Sequence, residues 1–173
     1  FMPRQLLILR HAKSAWDTDA PTDFDRPLSA RGRQAAPRMG RWMLGQGLLP
    51  DHVVSSPAER ARQTVLAACA ELGFAPDNIR WDQRIYHGSA VSMLDVLREC
   101  PETAGRVLIA GHNPGLETLL IHLCGSGVHI PRDGKLLPTA ALAQLEISGS
   151  WGELQQGSAR LLSIKRARSL TED

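Results

Sequence analysis

The sequence predicts an α/β protein, a three-layer α/β/α sandwich with a mainly parallel central sheet and an antiparallel edge strand. Three short apolar runs are typical of buried parallel strands: QLLIL at 5–9, HVVSS at 52–56 and RVLIA at 106–110. Amphipathic segments separate these runs, and such alternation favours helices packed on both faces of a parallel sheet. Two further runs, at 141–147 and 160–164, flank a stretch of turn composition and predict an antiparallel pair.

The first predicted helix follows the first strand, and Ser29 is its candidate N-cap. Pro37 falls inside the helical pattern, which predicts a kink or a broken start. The apolar positions repeat at the spacing expected of a helix with one buried face: Ala35, Met39, Trp42 and Met43.

Three more helices are predicted from their starting signals. The second helix should begin at Ser56, because Ser56, Pro57 and Glu59 match a capping box with proline at the first helical position. Ser89 is the candidate N-cap of the third helix, and Asn113-Pro114 opens the fourth. Their apolar positions are Ala61, Val65, Ala68 and Leu72, then Met93, Leu94 and Leu97, then Leu116, Leu119, Leu120 and Leu123.

Length and composition predict one soluble globular domain over residues 2–173. The chain has 173 residues, of which 43% are apolar and 22% are charged. The net charge is +2 and no block of Lys or Arg stands out, so neither nucleic acid nor a membrane is an expected partner. Without a long apolar segment, a cytoplasmic location is the default expectation. The sequence gives no indication of the oligomeric state.

Basic and imidazole side chains follow three of the predicted strands. Arg10 and His11 come directly after the first strand. Arg60 lies in the first turn of the helix after the second strand, and His112 follows the third. Taken singly, each of these residues is explained as a charged group at the end of a strand or as a turn residue, without any functional role. Because the carboxyl ends of parallel strands meet at one edge of a sheet, where ligands bind, the four together predict a shared site.

Two arginines and two histidines at one edge indicate chemistry on a phosphoryl group. Arginine offers a planar fork of donors that matches phosphate oxygens, and helix N-termini add backbone N–H groups. An imidazole that is uncharged near neutral pH can act as a nucleophile. The sequence has no Walker loop, no HExxH motif and no metal ligands at the usual spacing, so no metal and no cofactor is predicted.

Three motifs, in order, resemble those of the histidine phosphatase superfamily: LRHAKSAW, SSPAERARQT and AGHNPGL. The short chain and the stretch DFDRPLSARGRQAAPRMG are most similar to the SixA-like phosphohistidine phosphatases of that superfamily. The resemblance runs from Leu6 to about Ser148. It implies a phosphoglycerate mutase-like fold and a covalent phosphohistidine intermediate.

The resemblance also implies roles for individual residues. His11 would be the nucleophile. The residues that would bind and stabilise the transferring phosphoryl group are Arg10, Arg60 and His112. Ser14 and Asn113 are candidate substrate-binding residues, although Asn113 could instead orient His112 or cap the helix that follows, and capping is the favoured interpretation.

The chain departs from the family pattern at two points. Ala12 stands where glycine is commoner, and its methyl group could restrict how closely the backbone approaches phosphate. Phosphomonoesterases and mutases of the superfamily protonate the leaving oxygen with a carboxylate in the segment after the second helix, but WDQRIYHGSAVSML has no acid after Asp82. A phosphoimidazole can leave as neutral imidazole without that acid, so its absence favours a P–N substrate. Asp17, Asp19 or Asp23 could still supply an acid.

Three functions fit these observations. The first is a metal-independent phosphatase that acts on protein phosphohistidine through a covalent intermediate. The second is a small-molecule phosphomonoesterase whose acid comes from the 17–25 loop. The third is a slow phosphate-binding or phosphohistidine-recognition module. The predicted partner is therefore a phosphorylated protein or a small phosphorylated substrate.

Overall fold

A six-stranded mixed sheet organises residues 3–170, the part of the chain that the computed structural model describes. Its strands are β1 (Arg4–Arg10), β2 (His52–Ser55), β3 (Ile79–Trp81), β4 (Arg106–Gly111), β5 (Leu142–Ile147) and β6 (Ala159–Lys165). They lie in the order β3-β2-β4-β1-β5-β6. The first four strands are mutually parallel, and β5 runs antiparallel to both of its neighbours. The predicted α/β fold is confirmed, with the reversed strand one place in from the edge.

Five helices cover the two faces of the sheet in this part of the chain. They are α1 (Ala30–Gly45), α2 (Glu59–Leu72), α3 (Gln83–His87), α4 (Ala90–Arg98) and α5 (Gly115–Cys124). Alternate residues of β1 divide the core: Leu7 and Leu9 pack with α1 and α2, whereas Leu6 and Ile8 pack with α3, α4 and α5. These three layers leave the carboxyl ends of β1, β2 and β4 side by side at one edge.

Glycine allows two close backbone approaches near that edge. A Cβ at Gly115 would overlap the carbonyl oxygen of Gly88, so α5 can lie directly against the turn that ends α3. A Cβ at Gly32 would overlap the carbonyl oxygen of Lys13, so the first turn of α1 can lie against the segment after β1. Both approaches bring helix termini close to the strand ends.

All four predicted helices are present, but only two of the four predicted N-cap residues are confirmed. Ser29 and Ser89 accept hydrogen bonds from Gly32 N and Ser92 N as N-caps of α1 and α4. Pro37 lies inside α1, whose first turn is secured by the Ser29 cap, so a broken start is not observed. Helix α2 has Ala58 at its N-cap, not Ser56, and α5 has Pro114 there, not Asn113. In both cases the polar side chain binds a group distant in the sequence, described below.

The structure adds two short elements that the sequence did not predict, β3 and α3. It describes neither Met2 nor residues 171–173, so the termini of the predicted domain lie outside the described residues. Within residues 3–170, each helix is too short or too polar to cross a lipid bilayer.

Candidate active site

The four predicted site residues converge at one edge of the sheet. Arg10 ends β1 and pairs in register with Gly111 of β4, which places His11 and His112 beside each other. Their ring centroids are 5.2 Å apart, with the ring planes inclined at 49°. Arg60 enters from the first turn of α2, directly after β2. His11 and Arg60 are each 7% exposed and His112 is 9% exposed, so three of these four side chains are withdrawn from water.

His11 presents an unprotonated Nε2. Its Nδ1 lies 2.7 Å from the Ala12 carbonyl oxygen. A carbonyl can only accept, so Nδ1 must donate the proton and the lone pair is on Nε2. Burial, reinforced by the positive charges of Arg10 and Arg60, lowers the pKa of His11 to about 4 in spite of the hydrogen bond to Ala12. The imidazole is therefore neutral at physiological pH.

His112 is tied to Ser56 and is also neutral. Its Nε2 lies within hydrogen-bond distance of Ser56 Oγ, at 2.7 Å, and Ser56 Oγ also accepts a hydrogen bond from Ala58 N. Burial first, and then the neighbouring His11 and Arg60, lower the pKa of His112 to about 3. The other ring nitrogen, Nδ1, is buried and makes no hydrogen bond to any described residue. One polar atom of this ring is thus available to a ligand.

The two arginines are held by backbone oxygens at the same edge. Arg10 Nη1 donates to the Leu137 carbonyl at 3.0 Å, and burial lowers the pKa of Arg10 although Glu117 opposes the shift. Arg60 Nη1 donates to the Asp23 carbonyl at 2.8 Å, and its Nη2 donates to Asp23 Oδ2 at 3.1 Å. Both outer nitrogens of Arg60 therefore face one residue of the 23–25 turn.

Asp23 is the acceptor for three side chains around the site. Besides Arg60, the Tyr86 hydroxyl donates to Oδ2 at 2.9 Å and Arg26 Nε donates to Oδ1 at 3.1 Å. Burial alone would raise the pKa of Asp23, but the hydrogen bonds from Tyr86 and Arg60 hold it below its usual value. The Tyr86 ring also lies edge-on to His112, with centroids 5.7 Å apart. Asp23 is thus an ionised group that occupies the guanidinium fork of Arg60.

The two candidate substrate-binding residues lie beside this cluster. Ser14 is buried, and its Oγ accepts a hydrogen bond from Arg26 Nη1 at 3.1 Å. Asn113 Nδ2 donates to the Leu137 carbonyl at 2.8 Å, the same oxygen that Arg10 binds. The capping interpretation of Asn113 is wrong because Pro114 is the N-cap of α5 and no N–H of that helix donates to the Asn113 side chain. Asn113 Oδ1 is buried and makes no hydrogen bond to the described residues.

Comparison with known proteins places the chain among phosphatases. Residues 6–85 match the histidine phosphatase superfamily (branch 1). An uncharacterized protein of Mycobacterium tuberculosis is 31% identical over 161 residues, which cover 90% of this chain and 98% of the relative. The crystal structure of a candidate phosphohistidine phosphatase SixA from Agrobacterium tumefaciens superposes with a TM-score of 0.80 at 27% identity, covering 95% of this chain and 99% of that chain.

The chain belongs to the histidine phosphatase superfamily. Within this superfamily it is SixA-like. The phosphohistidine phosphatase SixA of Escherichia coli is 28% identical over 124 residues, which cover 69% of this chain and 74% of the relative.

Ala12 stands where glycine is commoner in the histidine phosphatase superfamily, and the structure shows where its methyl group lies. Ala12 is fully buried, and its methyl packs with Leu28, Ala36 and Ala140. Its N–H donates to Thr64 Oγ1 at 2.9 Å, and the Thr64 hydroxyl donates to the Arg60 carbonyl at 2.7 Å. The methyl group therefore packs in an apolar cluster, and Thr64 ties the segment after β1 to the helix that carries Arg60.

Sequence reasoning missed three contributors to the site. Ser56 was assigned to a cap, Tyr86 was not considered, and Asp23 was considered only as an acid. Arg26 forms an ion pair with Asp23, whereas Asp25 accepts a hydrogen bond from Thr22. Only Asp23 and Ser56 carried a signal, since both lie inside the stretches that resemble the superfamily. Among the described residues, no group of His, Cys, Asp and Glu side chains is arranged to hold a metal ion.

The lowered pKa values of His11 and His112 predict that acid destabilises the fold. In the unfolded chain each imidazole binds a proton near pH 6.5, whereas in the folded protein the pKa is about 4 for His11 and about 3 for His112. Below pH 6.5 the unfolded chain binds more protons, so the free energy of unfolding falls as the pH drops towards 4. Above pH 6.5 both states are neutral and the two groups add no pH dependence.

Urea unfolding between pH 7 and pH 4.5 measures this dependence. His112→Gln removes one of the two groups and keeps a side chain that can hydrogen-bond to Ser56. The variant should show a shallower loss of stability than the wild type over the same range. An unchanged slope would show that the pKa of His112 is the same in the folded and the unfolded protein, and would contradict the lowered value.

Proposed function

We propose that the protein is a metal-independent phosphohistidine phosphatase that transfers the phosphoryl group of a phosphorylated protein to His11 and then to water. The observation that carries this proposal is the neutral His11 Nε2 among the positive charges of Arg10, Arg60 and Arg26. A nucleophile with a lone pair beside cationic donors is what attack on an anionic phosphoryl group requires. The membership in the superfamily and the likeness to SixA proteins support the same reaction. In this proposal residues 2–173 form a single histidine phosphatase domain.

In the first transfer, His11 Nε2 forms a bond to phosphorus while the bond between phosphorus and the substrate nitrogen breaks. The Ala12 carbonyl stabilises the positive charge that develops on the His11 ring, because it accepts the proton on Nδ1. Arg10 and Arg60 neutralise charge on the phosphoryl oxygens. Water then attacks the phosphorus of phosphorylated His11, which releases inorganic phosphate and restores the neutral imidazole.

His112 is proposed to contact a phosphoryl oxygen through its Nδ1. An anion in the site would offset the positive charges of Arg10 and Arg60 that now disfavour protonation of His112. Its pKa would then rise, and a protonated His112 would add a third donor to the phosphoryl group. Ser56 fixes the ring by holding Nε2.

The position of Asp23 favours a P–N substrate over an alkyl ester. An alkoxide leaves poorly unless an acid protonates it, and Asp23 is ionised and held by Arg60, Arg26 and Tyr86. A phosphoimidazole protonated on its far nitrogen leaves as neutral imidazole and needs no such acid. We therefore infer that substrate specificity follows from the leaving group.

Replacing Asp23 by Asn tests whether this residue acts as an acid. We expect Asp23→Asn to keep at least about a tenth of wild-type turnover, because loss of a general acid costs on the order of 10²–10⁴-fold. Steady-state kinetics with an alkyl phosphate and with a phosphohistidine peptide measure the effect. Asp25→Asn is the matched control, since Asp25 contacts Thr22 and not Arg60. A loss of more than about 10²-fold confined to the alkyl ester would identify Asp23 as its acid.

A substrate panel tests the proposed function itself. Turnover should be fastest with a phosphohistidine peptide, slower with an aryl phosphate and slowest with an alkyl phosphate, in the order of decreasing leaving-group ability. The same rates should persist in EDTA, because the arginines take the place of a metal. Faster cleavage of the alkyl ester, or loss of activity in EDTA, would overturn the proposal.

A further inference from the structure

A second cavity lies between α1, the loop that precedes β5 and the turn that follows β6. Its volume is about 340 Å³. Six cationic side chains line it: Lys13, Arg31, Arg38, Lys135, Arg166 and Arg168. We refer to it as the basic cavity. The sequence shows no block of basic residues, so the fold assembles this charge from separate segments of the chain.

The basic cavity carries excess positive charge. Among the residues that the structure describes, none that lines the cavity is acidic. Asp133, which lies beside it, accepts from Arg166 Nη1 at 2.7 Å and lies 3.7 Å from Arg168 Nη2. The Lys135 carbonyl accepts a further hydrogen bond from Arg166 Nη2, which fixes that guanidinium in place. One carboxylate neutralises one charge, so Asp133 cannot balance Lys13, Arg31, Lys135 and the two arginines of the 166–168 turn together.

Helix α1 adds a second indication that an anion binds here. Its first turn contains Arg31 and no acidic residue. A cation at this end of a helix opposes the helix dipole, and a bound anion would relieve the conflict. The backbone N–H groups of this turn also favour negative charge nearby, apart from that of Gly32, which binds Ser29.

We propose that the basic cavity binds a small ligand that carries two or more linked phosphate groups. The volume falls within the range of small-molecule sites, and guanidinium groups match phosphate oxygens with paired donors. The lining cations come from three segments in particular: α1, the 135–139 loop and the 166–168 turn. A chain of linked phosphates spreads its charges along its length, which suits cations that come from separate segments. An inorganic polyphosphate and a nucleoside di- or triphosphate share this chemistry.

The basic cavity is separate from the candidate active site. Arg10, His11, Arg60 and His112 do not line it. The segment 135–140 lies between the two: the Leu137 carbonyl binds Arg10, whereas the neighbouring Thr139 lines the cavity. The proposal therefore does not depend on the phosphatase reaction.

Calorimetric titration of the full chain with inorganic triphosphate tests the proposal. The variant Arg31→Gln/Arg168→Gln should bind triphosphate at least about tenfold more weakly than the wild type. The control Arg62→Gln/Arg160→Gln removes the same charge from exposed positions outside the cavity and should bind as the wild type does. If the first variant does not fold, Lys135→Gln in the loop is the substitute. Equal affinity in the cavity and control variants would overturn the proposal.

Two further arms locate the ligand and identify its source. Arg60→Ala should retain triphosphate affinity, and a loss there would place the binding in the active site and refute a second site. Inorganic phosphate should bind at least about tenfold more weakly than triphosphate, whereas equal binding would contradict the need for linked phosphates.

Tighter binding of ADP than of pyrophosphate would identify a nucleotide ligand. Equal binding of the two would identify the polyphosphate chain, and either result supports the proposal.

Discussion

Replacing His11 by Ala should lower phosphatase turnover by at least about 10⁴-fold and abolish formation of a phosphoenzyme. The size of the effect follows from the geometry. The Ala12 carbonyl fixes the proton on Nδ1 and leaves the lone pair on Nε2, and burial keeps the ring neutral. In the variant the His112 ring stays tied to Ser56 through Nε2, and its Nδ1 is expected to contact a phosphoryl oxygen rather than attack phosphorus.

Rapid quenching without acid, followed by detection of the labelled protein, measures the intermediate. A peptide labelled on the phosphoryl group of phosphohistidine serves as the substrate. The matched control is His129→Ala, which removes an exposed imidazole outside the site and should label like the wild type. Label on the His11→Ala variant would assign the nucleophile elsewhere. Absence of label on the wild type would favour the recognition module over an enzyme.

The larger elements were predictable because their signals are local. The apolar runs that became β1, β2 and β4 contain consecutive buried residues, as a strand covered on both faces must. Strand β3 has three residues, of which only Ile79 is buried, and α3 has five residues, of which only Ile85 is buried. Elements this short have no periodicity to detect, and packing against neighbours decides their structure.

The site was predictable only as far as strand ends position it. Arg10, His11 and His112 lie at the ends of adjacent parallel strands, so their meeting follows from the topology. Ser56 matched a local capping pattern, but His112, which lies 56 residues away, takes its hydroxyl. Asp23 similarly reaches Arg60 across 37 residues. Partnerships of this kind depend on tertiary structure, which competes with local signals and here outweighs them.

The basic cavity was also not predictable from the sequence, because its charge is assembled by the tertiary structure. Its cations come from the segment after β1, from α1, from the loop before β5 and from the turn after β6. In sequence they lie in segments far apart from one another, and the net charge of +2 conceals them. Local electrostatic potential depends on which charges the fold brings together, so net charge alone did not predict an anion site.

Replacing Arg60 should cause the second-largest loss of phosphatase turnover, after His11. We expect Arg60→Ala to lower turnover by about 10³-fold, the magnitude associated with loss of one charged stabiliser of a phosphoryl transition state. The side chain is buried, and its two outer nitrogens now bind the carbonyl and carboxylate of Asp23. Phosphoryl oxygens carry negative charge, as a carboxylate does, and match the same paired donors, so the substrate would compete with Asp23 for this fork.

Arg60→Lys separates the charge of this side chain from its shape. Lysine keeps the positive charge but offers a single ammonium in place of two parallel donors, so we expect a loss intermediate between wild type and Arg60→Ala. Arg62→Ala is the matched control, because Arg62 is half-exposed on the same helix and pairs with Glu59. Turnover should fall, and inhibition by inorganic phosphate should weaken, in the Arg60 variants but not in Arg62→Ala.

Structural damage from the Arg60 substitutions has a distinct signature. Removing the guanidinium leaves Asp23 with Arg26 and Tyr86 as its side-chain donors, so the 23–25 turn could shift. The double variant Asp23→Asn/Arg60→Ala removes the unpaired charge as well. If Arg60 acts on the phosphoryl group, the double variant stays as slow as Arg60→Ala, whereas recovery of turnover would mean that Arg60 serves only to hold Asp23.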